Sequence, residues 1–272
     1  VNTLVFGISG LPHGDGKTKF AYATAIPHLR SLGLDAMELP FVRSVNVTAK
    51  NREAILAAKA ENDFHLTAHA SYFINLNAAE PDKLEASLAR IRQGAEALAL
   101  VGGRDLVFHP GYYLGQPPQA VLQTIGDNLR RLPDTGVSYR LETTGKGTQF
   151  GTVAELAALC RDIPTCKPCL DFSHIHARDN GVLKTRADFG RVLRQLADIL
   201  GEAALAELHI HISGIEYGPK GEKRHLPLAQ SDFDYTACLA ALRDHGAGGC
   251  VICESPALEH DAMLLKKAWL AL

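Results

Sequence analysis

A regular alternation of short β-branched runs with longer amphipathic runs, carried along the whole sequence, restricts what this chain can fold into more than any other feature. The strand candidates are TLVFGI from Thr3, LDAMEL from Leu34, FHLTAH from Phe64, DLVFH from Asp105, VSYRLE from Val137, KPCLD from Lys167, LHIHI from Leu208 and GCVICE from Gly249. Between them lie helical patterns such as PDKLEASLARIRQGAEALAL and ADFGRVLRQLADIL, where apolar residues recur at helical spacing. Eight strand and helix units in strict order are what a closed parallel barrel requires, whereas a doubly wound sheet more often stops at five or six. With 272 residues, 46% of them hydrophobic, the expectation is an α/β chain folded as a single-domain (β/α)₈ TIM barrel spanning residues 1–272.

The second constraint is where the ionisable residues fall. Nearly every predicted strand closes with one at its C-terminal end: Glu38, His69, His109, Glu142, Asp171, His211 and Glu254. In a barrel those ends meet at one face, where active sites are built. Burying so many acids and imidazoles together without a cation is costly in desolvation and repulsion. A bound metal removes that cost, and a donor set of His, Glu and Asp without cysteine suits a hydrolytic zinc or manganese centre better than a structural zinc.

Composition excludes some alternatives. A formal charge of −2 provides no global basic field, so any contact with DNA has to be local. No run reaches the roughly 18 apolar residues that span a bilayer, and no charged segment followed by a long apolar one opens the sequence. The expectation is a soluble, cytoplasmic chain, monomeric and without membrane contact. Its six cysteines read as reduced core thiols. Cys166-x-x-Cys169 and Cys250-x-x-Cys253 lie on predicted strands, where residues three apart face opposite sides and cannot chelate together. GLPHGDGKT ends like a phosphate-binding loop but has Leu11 where that motif needs glycine. It is expected to form the first barrel loop and cap the first helix.

Six blocks in register, HASYFINL from His69, FHPG around His109, LETTGKGTQFG around Glu142, LDFSHIHA around Asp171, HIHISG from His209 and CESP around Glu254, resemble the endonuclease IV family of abasic-site nucleases. The resemblance implies a trinuclear zinc cluster. In it the counterparts of His69 and His109 hold one ion, Glu142 bridges to a second completed by Asp171, His211 and Glu254, and His174 and His225 reach a third. Glu142 would be the catalytic residue that orients the nucleophile. His209 and His211 point to the same side of their strand. Register with HISG assigns His211 as the ligand and puts His209 a layer deeper, with the reverse assignment left open. The sequence departs from the family at the third ion, where an Asp-x-His pair is replaced by Lys223-Arg224-His225. Glu222, one residue earlier, is the available substitute; otherwise the third ion has two protein ligands. Ala229 and Gln230 also replace the family's usual glycine and glutamate.

The implied substrate is duplex DNA with an abasic site, cut on its 5′ side, since a nucleotide without a base is cheap to extrude. Tyr72 matches a family residue lining the gap in the duplex, with packing on the barrel rim as its alternative role. Arg43, Lys146, Lys220, Lys223 and Arg224 are candidate phosphate contacts. The competing class is the xylose isomerase-like sugar isomerases and epimerases, which hold one Mn²⁺ or Mg²⁺ with two Glu, one Asp and one His. Glu142, Asp171, His211 and Glu254 satisfy that set, but His69, His109, His174 and His225 then have no task. A third reading, prompted by Lys223, is a barrel that binds metal and nucleic acid or sugar without turnover.

Overall fold

The computed structural model describes residues 3–272. Eight parallel strands close into a barrel: β1 (Leu4–Ser9), β2 (Ala36–Pro40), β3 (His65–His69), β4 (Asp105–Phe108), β5 (Ser138–Glu142), β6 (Cys166–Asp171), β7 (Leu208–Ile212) and β8 (Gly249–Cys253). Each pairs with its neighbours in the sequence, and β8 returns to β1 with Ile8 opposite Cys253. All eight expected strands form. His109 and Glu254 fall one residue past the ends of β4 and β8.

Helices α1 (Tyr22–Ser31), α2 (Arg52–Glu61), α3 (Pro81–Leu100), α4 (Pro118–Leu129), α5 (Val153–Asp162), α6 (Phe172–Arg178), α7 (Arg186–Leu200), α8 (Tyr235–Asp244) and α9 (Glu259–Leu270) surround the strands. Their starts are written locally. Proline opens α3 and α4, where its missing N–H is harmless and its φ is already helical. The Thr152 hydroxyl accepts from the Glu155 amide while the Glu155 carboxylate accepts from the Thr152 amide, a reciprocal cap that starts α5. Thr185 and Asp188 do the same for α7. GLPHGDGKT lies in the first loop, but α1 begins beyond it, and its first turn is closed by the Ala21 amide donating to the Thr24 hydroxyl at 3.0 Å.

The core has two unequal parts. Most apolar residues pack between strands and helices, while inside the barrel Ala36, Cys250 and Ile252, with Val5 against them, form a small apolar patch. The rest of the interior, on β3 to β7, is mostly polar and ionisable, with Val107 and Cys169 set among the acids and imidazoles. Low in the barrel the Arg140 guanidinium donates to Asp105 at 2.6 Å, and above it lie the acids and imidazoles of the strand ends. The six cysteines are free. No helix among the described residues is long and apolar enough to cross a membrane.

Two additions at the mouth were not foreseen from the sequence. One is an antiparallel hairpin of Gly214–Gly218 with Gly221–Leu226, which follows β7. The other pairs Gly111–Tyr112 with Gln149–Phe150 across the loops after β4 and β5.

Candidate metal centre

Glu142 ends β5 and is fully buried. One of its oxygens, Oε2, lies 3.0 Å from His69 Nε2 and 2.9 Å from His109 Nε2. The other, Oε1, lies 3.1 Å from His211 Nδ1 and 3.4 Å from His174 Nδ1. A carboxylate whose two oxygens serve different imidazole pairs has the disposition of a bridge between two ions. Around it the donor atoms fall into three adjoining sets, each within 4.8 Å: His69, His109 and Glu142; Glu142, Asp171, His211 and Glu254; and Asp171, His174 and His225.

Several hydrogen bonds orient these donors. His69 Nδ1 faces the Ala70 carbonyl at 2.8 Å, and His174 Nδ1 the Thr143 carbonyl at 3.0 Å. A carbonyl only accepts, so each Nδ1 carries a proton and Nε2 is the nitrogen left to meet a metal. Holding one ring nitrogen to fix the other is how metal-binding histidines are set. Asp171 Oδ1 accepts the His174 amide at 2.7 Å, capping α6, while its buried Oδ2 has no hydrogen-bond partner. Oriented ring nitrogens and an unpartnered buried carboxylate oxygen fit divalent cations.

The electrostatics agree. Burial opposes charge on Glu142, yet His109 and His211 hold its carboxyl well below the usual range. Burial also opposes protonation of His69 and His174, but Glu142 beside the first and Asp171 beside the second raise both to about 9. Burial pushes Asp171 up to about 6.

One layer lower, Glu38 accepts from the Thr67 hydroxyl and His209 Nε2, both at 2.9 Å. Its Oε1 lies 3.0 Å from His211 Nε2, a close ionic contact rather than an aligned hydrogen bond. His211 thus faces Glu142 and Glu254 above, and His209 faces Glu38 below. Cys169, His209 and His211 also cluster at this level. Sequence reasoning named Glu38 as a strand end but missed this supporting role, and it missed Thr67. The available signal was alternation, which sets Thr67 on the same face as His69 and opposite Glu38 in register.

Above the centre lies a cavity of about 400 Å³, lined also by Ser9, Ser71, Tyr72, Tyr112, Lys146 and Gln149. Tyr72 is 64% exposed and stands edge-on to His69, with ring centres 5.5 Å apart. The other basic candidates are placed elsewhere. Arg43 lines a separate groove with Phe41 and Arg90. Lys223 and Arg224 pair with Glu216 on the exposed face of the hairpin, at 3.5 and 2.7 Å. The GLPHGDGKT amides have partners within the chain: those of His13 and Gly14 donate to Glu259, and those of Lys17 and Thr18 to Asp15. That arrangement leaves no phosphate cradle.

A closed parallel barrel with this centre at the C-terminal face of its strands defines the class, and residues 26–270 match the xylose isomerase-like TIM barrel family, to which the chain belongs. Within that family it is 44% identical to the uncharacterized protein MJ0133 of Methanocaldococcus jannaschii, over 98% of this chain and 97% of that one. It is 28% identical to the probable endonuclease 4 of Bacillus subtilis over 68% of this chain, a match spanning 64% of that enzyme's length. Endonuclease IV of Thermus thermophilus superposes with a TM-score of 0.74 at 22% identity, each chain 98% covered. A D-tagatose 3-epimerase-like protein superposes with 0.75 at 18%, covering 98% of this chain and 97% of that one. At such identities the superpositions establish the shared barrel alone.

Proposed function

We propose that this chain is a zinc-dependent endonuclease of DNA repair that hydrolyses the phosphodiester 5′ to an abasic site in duplex DNA. The observation carrying this reading is the division of labour at Glu142, whose two oxygens face different pairs of imidazoles within three adjoining donor sets. A single-ion isomerase needs four donors, and His69, His109, His174 and His225 exceed that need. Sequence similarity to probable endonucleases 4 supports the same choice.

His69, His109 and Glu142 would hold one ion, with Glu142, Asp171, His211 and Glu254 holding a second. When bound, such ions make water nucleophilic near neutral pH and neutralise charge on the phosphate and on the leaving oxygen. The chain itself supplies geometry. Glu142 spaces the donors, the cavity receives the extruded sugar, and Tyr72 at its rim stands beside the unpaired position. Lys146 on the cavity wall is the nearest basic contact for a phosphate, which makes DNA binding local and salt-sensitive. Water adds to phosphorus and the bond to the 3′-oxygen breaks, leaving a 3′-hydroxyl.

The test is incubation of the zinc-loaded protein with a duplex carrying one abasic site. Nicking on the 5′ side of that site, with an undamaged duplex left intact, is the expected result. The second reading, sugar epimerisation with one Mn²⁺, has in its favour the Glu142, Asp171, His211 and Glu254 set. Intact DNA together with epimerised ketohexose would move the assignment there.

A further inference from the structure

We infer that Glu222 is a metal ligand and that, with His174 and His225, it forms a third cation position whose acid has moved one residue along the hairpin. The inference rests on the metal-dependent reading above but not on DNA as substrate.

The hairpin's pairing supplies the argument. His225 lies opposite Ile215 and Arg224 opposite Glu216, but Tyr217 pairs with Glu222, so Lys223 is an extra residue. In an unbroken strand residues 223 and 225 would share a face, and the lysine would point at the cations. A bulge at Lys223 resets the alternation. Glu222 joins His225 on the inward side, with its side chain 20% exposed, while those of Lys223 and Arg224 are 58% and 72% exposed.

The inward seat is built for the glutamate. Its amide donates to the Gly145 carbonyl at 2.9 Å. A Cβ on Gly145 would stand 2.6 Å from Glu222 Oε2, so glycine is what leaves room for the carboxylate. Gly221 has φ +90°, and a Cβ there would lie 2.3 Å from the Gly145 carbonyl oxygen, so the approach into the bulge also needs glycine.

Two imidazoles complete the set. His174 Nδ1 donates to Thr143 O, and His225 Nδ1 donates to Glu254 O at 3.2 Å. Each Nε2 is the nitrogen left to meet a ligand, and the two face one another at 3.4 Å. Two ring nitrogens so placed can share one cation. Glu222 Oε2 is 3.6 Å from His174 Nε2, and Oε1 is 4.0 Å from His225 Nε2, so an acid flanks that gap.

The test is zinc titration of the metal-free protein against a chromophoric chelator, with bound zinc counted by native mass spectrometry. Glu222→Gln is expected to lose one ion per chain, or to bind its last ion more than about tenfold more weakly, while the tighter ions are unchanged. Lys223→Gln is expected to bind as the unaltered chain does. Equal melting temperatures of the metal-free proteins verify that Glu222→Gln is folded, and Glu222→Asp serves if they differ. Unaltered zinc count and affinity in the Glu222 variant would overturn the inference, as would loss of the ion in Lys223→Gln. Because no DNA is involved, an inactive protein that binds its third ion through Glu222 would sink the nuclease reading and leave this one standing.

Discussion

The strand-borne and hairpin-borne halves of the centre are held in place by different means. His69, Glu142, Asp171 and His211 sit on strand residues, where backbone pairing within the barrel fixes which way each side chain points. Glu222 and His225 belong to a two-stranded hairpin whose inward face is set by one bulge and by contacts with the loop around Gly145. Strand register is shared among eight strands and is costly to change. A hairpin can absorb an extra residue and exchange one ligand for its neighbour. The two halves should therefore respond differently to substitution.

The largest effect is expected in the strand half. Glu142→Gln removes the carboxylate shared by two donor sets, and single-turnover nicking of an abasic duplex should fall by about a thousandfold or more. Activity within tenfold of the unaltered protein would show that Glu142 does not bridge. Next is Glu38→Gln, which replaces the anion beneath His211 with a neutral amide while keeping its shape. Zinc affinity should drop by about 10–100-fold, measurable by the same titration. An unchanged affinity would reduce Glu38 to a packing residue.

A smaller effect is expected at the rim. Tyr72→Ala removes an exposed ring and should change stability by less than about 0.5 kcal/mol. It should weaken binding to the abasic duplex by roughly tenfold, the loss of about one stacked ring. A fall in melting temperature without loss of DNA affinity would instead mark Tyr72 as rim packing. The smallest effect on metal should come from the hairpin's tether. The Tyr217 hydroxyl donates to Asp232 at 2.6 Å, and buried His176 lies 3.2 Å from the same carboxylate. Asp232→Ala leaves the buried Nε2 of His176 without a partner, while its Nδ1 keeps the Leu183 amide, and should cost about 1–3 kcal/mol of stability. It should weaken only the last zinc ion, and only a few-fold; equal weakening of all ions would mean that the halves are coupled.

The same contrast explains what could be read from the residues. The strands announced themselves through β-branched runs, and the strand-end acids and imidazoles follow from alternation once a barrel is recognised. His209 and His211 were identifiable as a pair sharing a face, but which of them faced the candidate ions depended on neighbours such as Glu38 and Glu254. The hairpin was not legible, because GPKGEKRH has the glycine and lysine content of a solvated loop. Its bulge is decided by a meeting with Gly145, a residue over 70 positions away. For the same reason Lys223 and Arg224 looked like phosphate contacts, although the structure turns them outward onto Glu216.

The most direct test of the central claim is the number of zinc ions bound per folded chain, measured by native mass spectrometry after reconstitution and removal of loosely held metal. Donor sets that adjoin through Glu142 and Asp171 predict three. A chain saturated by one ion would contradict the account, because Glu142 would then have nothing to join.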